Sequence, residues 1–274
     1  MNYIGKVINI GSSSEGNAFY IEIKRKEYEK PFGLLIECGF EVPNIMKKLL
    51  NHGVSILDVN AVLITHEHND HSVGLKDLVG YGVKAFAPRQ VFEKYEIGES
   101  YLRKDLKEFV ETSIADKIRV LPIPLDHENP DGTKCVNFGY IITIESEFRI
   151  LFITDTKYIR YNLSNFEFDM IFIEANNRVV VLKLALKDAI ENDNIGKKVR
   201  YNRVLESHMT VENTARTLAT FNLSKTKIVY LIHLTSDRKK NEQTFIEIIE
   251  NKLRKENKQI PPIVVADMRG NFIK

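Results

Sequence analysis

The chain has 274 residues, 43% of them hydrophobic, and a formal net charge of +2. That is enough apolar material for a sizeable core, and too little positive charge to mark a nucleic-acid binder by balance alone. No apolar run approaches the roughly 20 residues that a bilayer-spanning helix needs. The first residues lack the basic-then-apolar pattern of a secretory leader. One cytosolic domain over residues 1–274, with no membrane partner, is therefore expected. Cys38 and Cys135 sit in apolar runs without thiolate-ligand spacing and read as small buried hydrophobes, since a disulfide would not persist in a reducing compartment.

In chain order, apolar runs near 6–10, 18–23 and 33–38 predict strands joined by turns, and 42–52 predicts a helix. A buried strand ends in Val62-Leu63-Ile64. A helix over 72–79, a short strand over 83–86 and a mainly helical stretch to about 111 follow. Strands are expected at 118–125, 135–145, 148–154 and 169–174, then helices at about 177–192 and 211–221. A strand at 227–233, a charged helix over about 241–257 and a strand at 262–266 close the chain. Strands in two groups, each followed by helices, suit an α/β fold of the four-layer αβ/βα sandwich type, with both sheets sending strand ends to one edge. The chain shows no internal repeat and no low-complexity tract.

The densest chemical signal is His66-Glu67-His68-Asn69-Asp70-His71, directly after the strand ending at Ile64. Imidazole nitrogen and carboxylate oxygen are the donors that catalytic zinc or manganese sites use. His66 and His68 lie two apart, so an extended backbone sends both to one side. Asp70 and His71 come as the chain turns into a helix and can serve a second position. One zinc ion takes about three protein ligands plus water, so four clustered donors favour two ions roughly 3.5–4 Å apart. A solvated polar loop is the bland alternative, and three histidines with an aspartate on one strand end argue against it.

The pattern His66-x-His68-x-Asp70-His71 resembles the signature of the metallo-β-lactamase fold and of its hydrolases of phosphodiesters and thioesters. The resemblance spans nearly the whole chain, and its remaining ligand positions are filled at strand ends by His127, Asp155 and His233. It implies two divalent ions, Zn2+ or Mn2+. One would be held by His66, His68 and His127, the other by Asp70, His71 and His233, with Asp155 bridging them. Taken singly, His127 or His233 would more often be an ordinary structural histidine, and Asp155 could cap a turn; the first motif lifts all three.

The stretch from Ile8 through Gly11-Ser12-Ser13-Ser14-Glu15-Gly16-Asn17 resembles the opening of the short bacterial YycJ-like exonucleases. Its serines and glycines suit a phosphate-binding turn, so Ser12, Ser13, Ser14 and Asn17 are candidate substrate contacts, against the alternative of a plain β-turn. Ser207-His208-Met209-Thr210 resembles the histidine element of nucleases of this fold, including the tRNA 3′-processing endonucleases. By that resemblance His208 touches the scissile phosphate or protonates the leaving oxygen, while Thr210 caps the next helix. Two departures stand out: Asn177 replaces a family histidine and cannot carry a proton near neutral pH. Glu37 stands where the fold usually has aspartate and is expected to orient a ligand histidine.

These features together lead to a dinuclear-metal phosphodiesterase, foremost a DNA exonuclease, in which a metal-bridging hydroxide is positioned by Asp155 and Asp70 and His208 acts on the phosphate. Arg178, Lys183, Lys187, Lys197, Lys198, Arg200 and Arg203 bracket the stretch before His208 and could track a phosphate backbone. Tyr158, Tyr161 and Tyr201 could stack on bases. The alternatives are a phosphodiesterase for a cyclic nucleotide or cyclic phosphate, and a metal-binding regulatory protein without catalysis. DNA is the favoured partner over RNA, and the oligomeric state is left open.

Overall fold

The computed structural model describes residues 3–129, 131–235 and 242–274. Two mixed sheets face each other. The first runs in chain order: β1 (Ile4–Ser13), β2 (Gly16–Ile23), β3 (Phe32–Ile36), β4 (Val59–Leu63), β5 (Lys84–Ala87) and β6 (Arg103–Asp105). Its first three strands pair antiparallel and the rest parallel. The second sheet holds β7 (Thr112–Ala115), β8 (Ile118–Glu128), β9 (Lys134–Ile144), β10 (Phe148–Ile153), β11 (Met170–Glu174), β12 (Ile228–Ile232), β13 (Ile263–Ala266) and β14 (Phe272–Ile273), ordered β14 to β7 across the sheet. The strands β10 to β13 run parallel to one another.

Alternation along these strands assigns each side chain to a layer. In β2, Phe19, Ile21 and Ile23 enter the core between the sheets, while Ala18 and Tyr20 face the outer helices. In β11, Phe172 faces the other sheet, and Ile171 and Ile173 face outward into a third apolar layer. Both faces of each central strand are covered, so these strands read as unbroken apolar runs. The helices α1 (Val42–Leu50), α2 (Asn69–Ser72), α3 (Leu75–Gly80) and α4 (Arg89–Lys94) follow the strands of the first sheet, and residues of α1, α3 and α4 fill its outer layer. With the second sheet come α5 (Val179–Glu191), α6 (Ile195–Ser207), α7 (Val211–Thr220) and α8 (Glu242–Lys255), of which α7 and α8 pack on its outer face. This is the four-layer αβ/βα sandwich. Among the described residues no helix is long and apolar enough to cross a membrane.

Several elements differ from the sequence expectation. The helix expected over 72–79 begins inside the motif as α2 and breaks at Gly74, whose N–H donates to Cys38 O at 2.9 Å. A Cβ there would lie 2.6 Å from Phe40 O, so only glycine allows this approach. The helical stretch before 111 contains only α4, and its remainder adds the short edge strand β6. The segment between α5 and α7 folds as a second helix, α6, and α5 and α6 together bury little beyond Leu182, Ala189 and Ser207. The short strand β14 was not expected, and Asn241, at the start of the expected last helix, lies outside the described residues.

Candidate metal centre

The chemistry-bearing side chains collect where β3, β4, β8, β10, β11 and β12 end. His127 lies near the end of β8 and Glu174 closes β11, while Glu37, His66, Asp155 and His233 follow β3, β4, β10 and β12. Glu37, Asp155 and His233 have φ of 64°, 51° and 53°. Left-handed backbone in non-glycine residues is costly and concentrates at functional sites. Here it turns the chain sharply out of each strand, so that the side chain stays at the edge. Asn137 fixes one of these turns, its Nδ2 donating to Thr154 O at 3.1 Å and Asp155 O at 2.8 Å.

The donors fall into adjoining sets. His66, His68 and His127 form one, and Asp70, His71 and His233 another, each with ligand atoms within 4.8 Å of one another. Asp155 joins His66 and His71 in a third grouping between them. In the first set His127 Nε2 lies 3.1 Å from His68 Nδ1. Two imidazole nitrogens on one tetrahedral ion, each at about 2.0–2.1 Å, would be roughly 3.4 Å apart, so this spacing fits a shared metal. In the second set Asp70 Oδ2 is 3.3 Å from His71 Nε2 and 3.5 Å from His233 Nε2, and Asp155 Oδ2 is 2.8 Å from His71 Nε2. His66 Nε2 and His233 Nε2 are buried with no hydrogen-bond partner. A buried polar atom without a partner is costly, and a divalent ion in each set would satisfy both. The residues fit the metals that the fold implies.

The opposite ring nitrogens are held from behind. Thr65 Oγ1 is 2.9 Å from His66 Nδ1 and donates to the fully buried Glu37 at 2.5 Å. Glu37 Oε1 also lies 3.4 Å from His71 Nδ1, as expected of a residue that orients a ligand. Asn129 Oδ1 is 3.0 Å from His68 Nε2, which leaves Nδ1 facing inward. Such contacts fix the tautomer and ring angle of a ligating histidine. Burial pushes the His127 pKa down to about 3 and that of His66 well below its usual value. At His71 and His233 burial also opposes charge, but Asp155 and the neighbouring carboxylates outweigh it and raise the pKa, to about 9 for His233. Burial also opposes charge on Asp155, but His233 and His71 outweigh it and hold the carboxylate ionised.

His208 sits beside this cluster. Its Nδ1 is 2.6 Å from Glu174 Oε1 and 3.2 Å from Asp155 Oδ1, and its ring stacks at 5.3 Å on His233. Burial disfavours its charge, yet the Glu174 and Asp155 carboxylates overcome this and push its pKa up to about 10. Glu174 is the residue that sequence reasoning passed over. It is fully buried, meets His233 Nδ1 at 3.0 Å, and accepts from the backbone N–H of Thr156 and Met209 at 3.1 Å each. The available signal was a carboxylate closing an apolar strand, the same placement that singled out the ligands.

The Ser12 to Asn17 turn is placed differently from its expected role. Ser12, Ser13 and Asn17 are buried, and only Ser14 of the candidate contacts is exposed. Ser12 Oγ accepts from His233 N at 2.7 Å and donates to Asn17 Oδ1 at 3.1 Å. Asn17 Nδ2 donates to Ser13 O at 2.8 Å and reaches Asp70 O at 3.4 Å. Ser12 and Asn17 thus tie this turn to the loops that carry His233 and Asp70. Asn177 is half-buried with its Oδ1 accepting from Arg178 N at 2.8 Å. Lys183, Lys187, Lys197, Lys198, Arg200 and Arg203 of the α5–α6 segment are exposed, as are Tyr158 and Tyr161, whereas Arg178 and Tyr201 are half-buried.

The family model of the β-lactamase superfamily domain matches residues 34–234. The chain is 26% identical over 264 residues to Exodeoxyribonuclease WalJ of Streptococcus pneumoniae, covering 91% of this chain and 89% of that protein. It is 22% identical over 241 residues to Exodeoxyribonuclease YycJ of Bacillus anthracis, covering 85% and 83%. Among solved structures, the metallo-β-lactamase-fold protein YhfI of Bacillus subtilis aligns with a TM-score of 0.63 at 16% identity over 97% of each chain, a likeness of fold alone.

Proposed function

Since this chain belongs to the β-lactamase superfamily and is a metal-dependent hydrolase of that fold, we propose that it is a phosphodiesterase of the nuclease type, acting as an exonuclease on DNA. The observation that carries the reading is His208. It is an imidazole clamped at Nδ1 by two carboxylates against the donor sets, with no partner for Nε2 among the described residues. A lactam or thioester hydrolase has no evident need for it, whereas a phosphodiester places an oxygen within its reach. The two nearly full-length relatives named exodeoxyribonucleases support DNA as the substrate.

In this reading His66, His68 and His127 hold one divalent ion, Asp70, His71 and His233 the other, and Asp155 lies between them. Bound metals supply a water of lowered pKa and polarise the phosphoryl oxygens. Asp70, with its side chain 27% exposed, accepts a hydrogen bond from the attacking water and aims it at phosphorus. His208 donates from Nε2 to the phosphate and passes that proton to the departing sugar oxygen, while Glu174 and Asp155 stabilise its charge at Nδ1. Glu37, Thr65 and Asn129 keep the ligand rings in register.

The test is cleavage of end-labelled duplex DNA, single-stranded DNA and RNA with Mn2+, comparing wild type with Asp70→Ala and His208→Ala. Stepwise loss of label that vanishes in Asp70→Ala is the expected result. No cleavage of any of the three, together with hydrolysis of bis-p-nitrophenyl phosphate, would assign the site to a small phosphodiester instead.

A further inference from the structure

A groove leaves the metal edge beside His127. Its inner part is a cleft of about 390 Å³ lined by His127, Glu128, Lys134, Arg160 and Ser207 among others. An adjoining recess of about 150 Å³ shares Asp126, Lys134 and Arg160 with it and ends on Tyr161. Tyr161 meets Phe109 edge to face, with ring centroids 5.1 Å apart and planes at 84°. Both rings are open to solvent, Phe109 at 53% and Tyr161 at 39%.

Phe109 supplies a second, independent observation. Its φ is 57°, in the left-handed region that a bulky side chain normally avoids. Its N–H is tied to Pro122 O at 2.9 Å, so the conformation is fixed by the fold. Its ring is exposed, and backbone strain of this kind clusters at active sites and ligand clamps.

The charges set the size of that ligand. On the groove walls Asp126 pairs with Arg160, and Glu206 pairs with Lys157 at 2.6 Å. Lys134, Glu108 and Glu128 also line the walls. Cations therefore do not dominate: Lys134 can meet one phosphate, while a longer phosphate run would meet the carboxylates of Glu108 and Glu128. Recognition beyond that phosphate falls to the aromatic wall, and every nucleobase offers a π-face to stack.

We infer that this groove is a subsite for one unpaired nucleotide beside the scissile phosphodiester, its phosphate against Lys134 and its base against Tyr161 and Phe109. The inference rests on the nuclease reading and narrows it to strands whose end is unpaired. A base inside a duplex is stacked on both faces, and a terminal pair offers only its outer face, so an unpaired base is the one free to lie against the rings.

The experiment uses metal-loaded protein and three fluorescein-labelled, phosphorothioate-protected DNA duplexes. One has a three-nucleotide overhang, one has the same overhang made abasic so that only its phosphates remain, and one is blunt. Anisotropy should show wild type binding the base-bearing overhang about tenfold more tightly than the abasic one. The Phe109→Ala/Tyr161→Ala double variant should lose that preference with its metal content unchanged, and Tyr161→Phe should retain it. With unprotected DNA the double variant should raise KM and leave kcat near wild type. Equal binding of base-bearing and abasic overhangs by wild type, or a preference that survives in the double variant, would overturn the subsite. Base-dependent binding with no cleavage of any end would sustain the subsite and overturn the proposed activity.

Discussion

Glu174→Gln keeps the shape of the side chain and removes one acceptor oxygen together with the charge. One carboxylate oxygen faces the Nδ1 atoms of His208 and His233, at 2.6 and 3.0 Å. The other accepts from Thr156 N and Met209 N, at 3.1 Å each. Whichever way the amide turns, its NH2 meets two donors, so two hydrogen bonds are lost in an interior position. Hydrogen bonds to a charged group contribute about 1.5–3 kcal/mol each, and breaking a buried charged pair costs about 3–5 kcal/mol. We expect a loss of about 3–5 kcal/mol, a large fraction of the roughly 5–15 kcal/mol that holds a domain folded. His208 and His233 also lose the contact that orients them, which should cost roughly 10- to 100-fold in turnover or metal affinity. The assay is urea denaturation of the metal-free and metal-loaded protein, with turnover of bis-p-nitrophenyl phosphate and metal content measured on the same samples. A variant with the wild-type midpoint and wild-type turnover would refute the assignment of Glu174 as the anchor of both rings.

Asn129→Ala removes the acceptor behind His68 and should weaken one of the two bound ions by about 10- to 100-fold, read by competition with a chromogenic chelator. Equal stoichiometry and affinity for both ions would argue that His68 needs no such support. Gly39→Ala would place a Cβ 1.8 Å from Asp70 O and 2.8 Å from Asn17 N, both backbone atoms. The motif loop must then move, and the expected outcome is a thermal midpoint lowered by several degrees together with loss of metal, from a cost of about 1–3 kcal/mol. Stripping metal with a chelator should lower stability by about 4 kcal/mol per ion relative to protein held at a thousandfold excess over Kd, measured as the shift in urea midpoint. An unchanged midpoint would mean that the donor sets do not bind metal in the folded state.

The donor-bearing parts of this protein were legible in its sequence because the signals are local. An unbroken apolar run marks a strand covered on both faces, and a polar donor just after it marks the edge where that strand stops. His66, His68, Asp70, His71, Asp155 and His233 follow that rule, His127 lies just inside the end of β8, and the structure gathers all seven at one edge. The alternation of Phe19, Ile21 and Ile23 with Ala18 and Tyr20 was equally readable, since side-chain period and layer are the same fact in a sheet. Elements went unread where local preference was weak or overruled: α6 has mostly exposed residues and little apolar periodicity, and α2 and α3 part at a glycine pressed against Phe40.

What lay beyond the sequence was the set of relations between distant segments. Ser12 closes on His233 across 221 positions, a contact that ties the N-terminal turn to the β12 edge. Glu174 reaches His208 and His233, 34 and 59 positions away, and its importance lies only in those contacts. The left-handed backbone at Glu37, Asp155 and His233, and the ring nitrogen that each histidine turns inward, follow from packing around the edge. Donor identity is a property of each residue, so composition and spacing carry it. Donor orientation is enforced by neighbours the chain brings together only when both sheets close over their common core, and for that reason it belongs to the folded molecule.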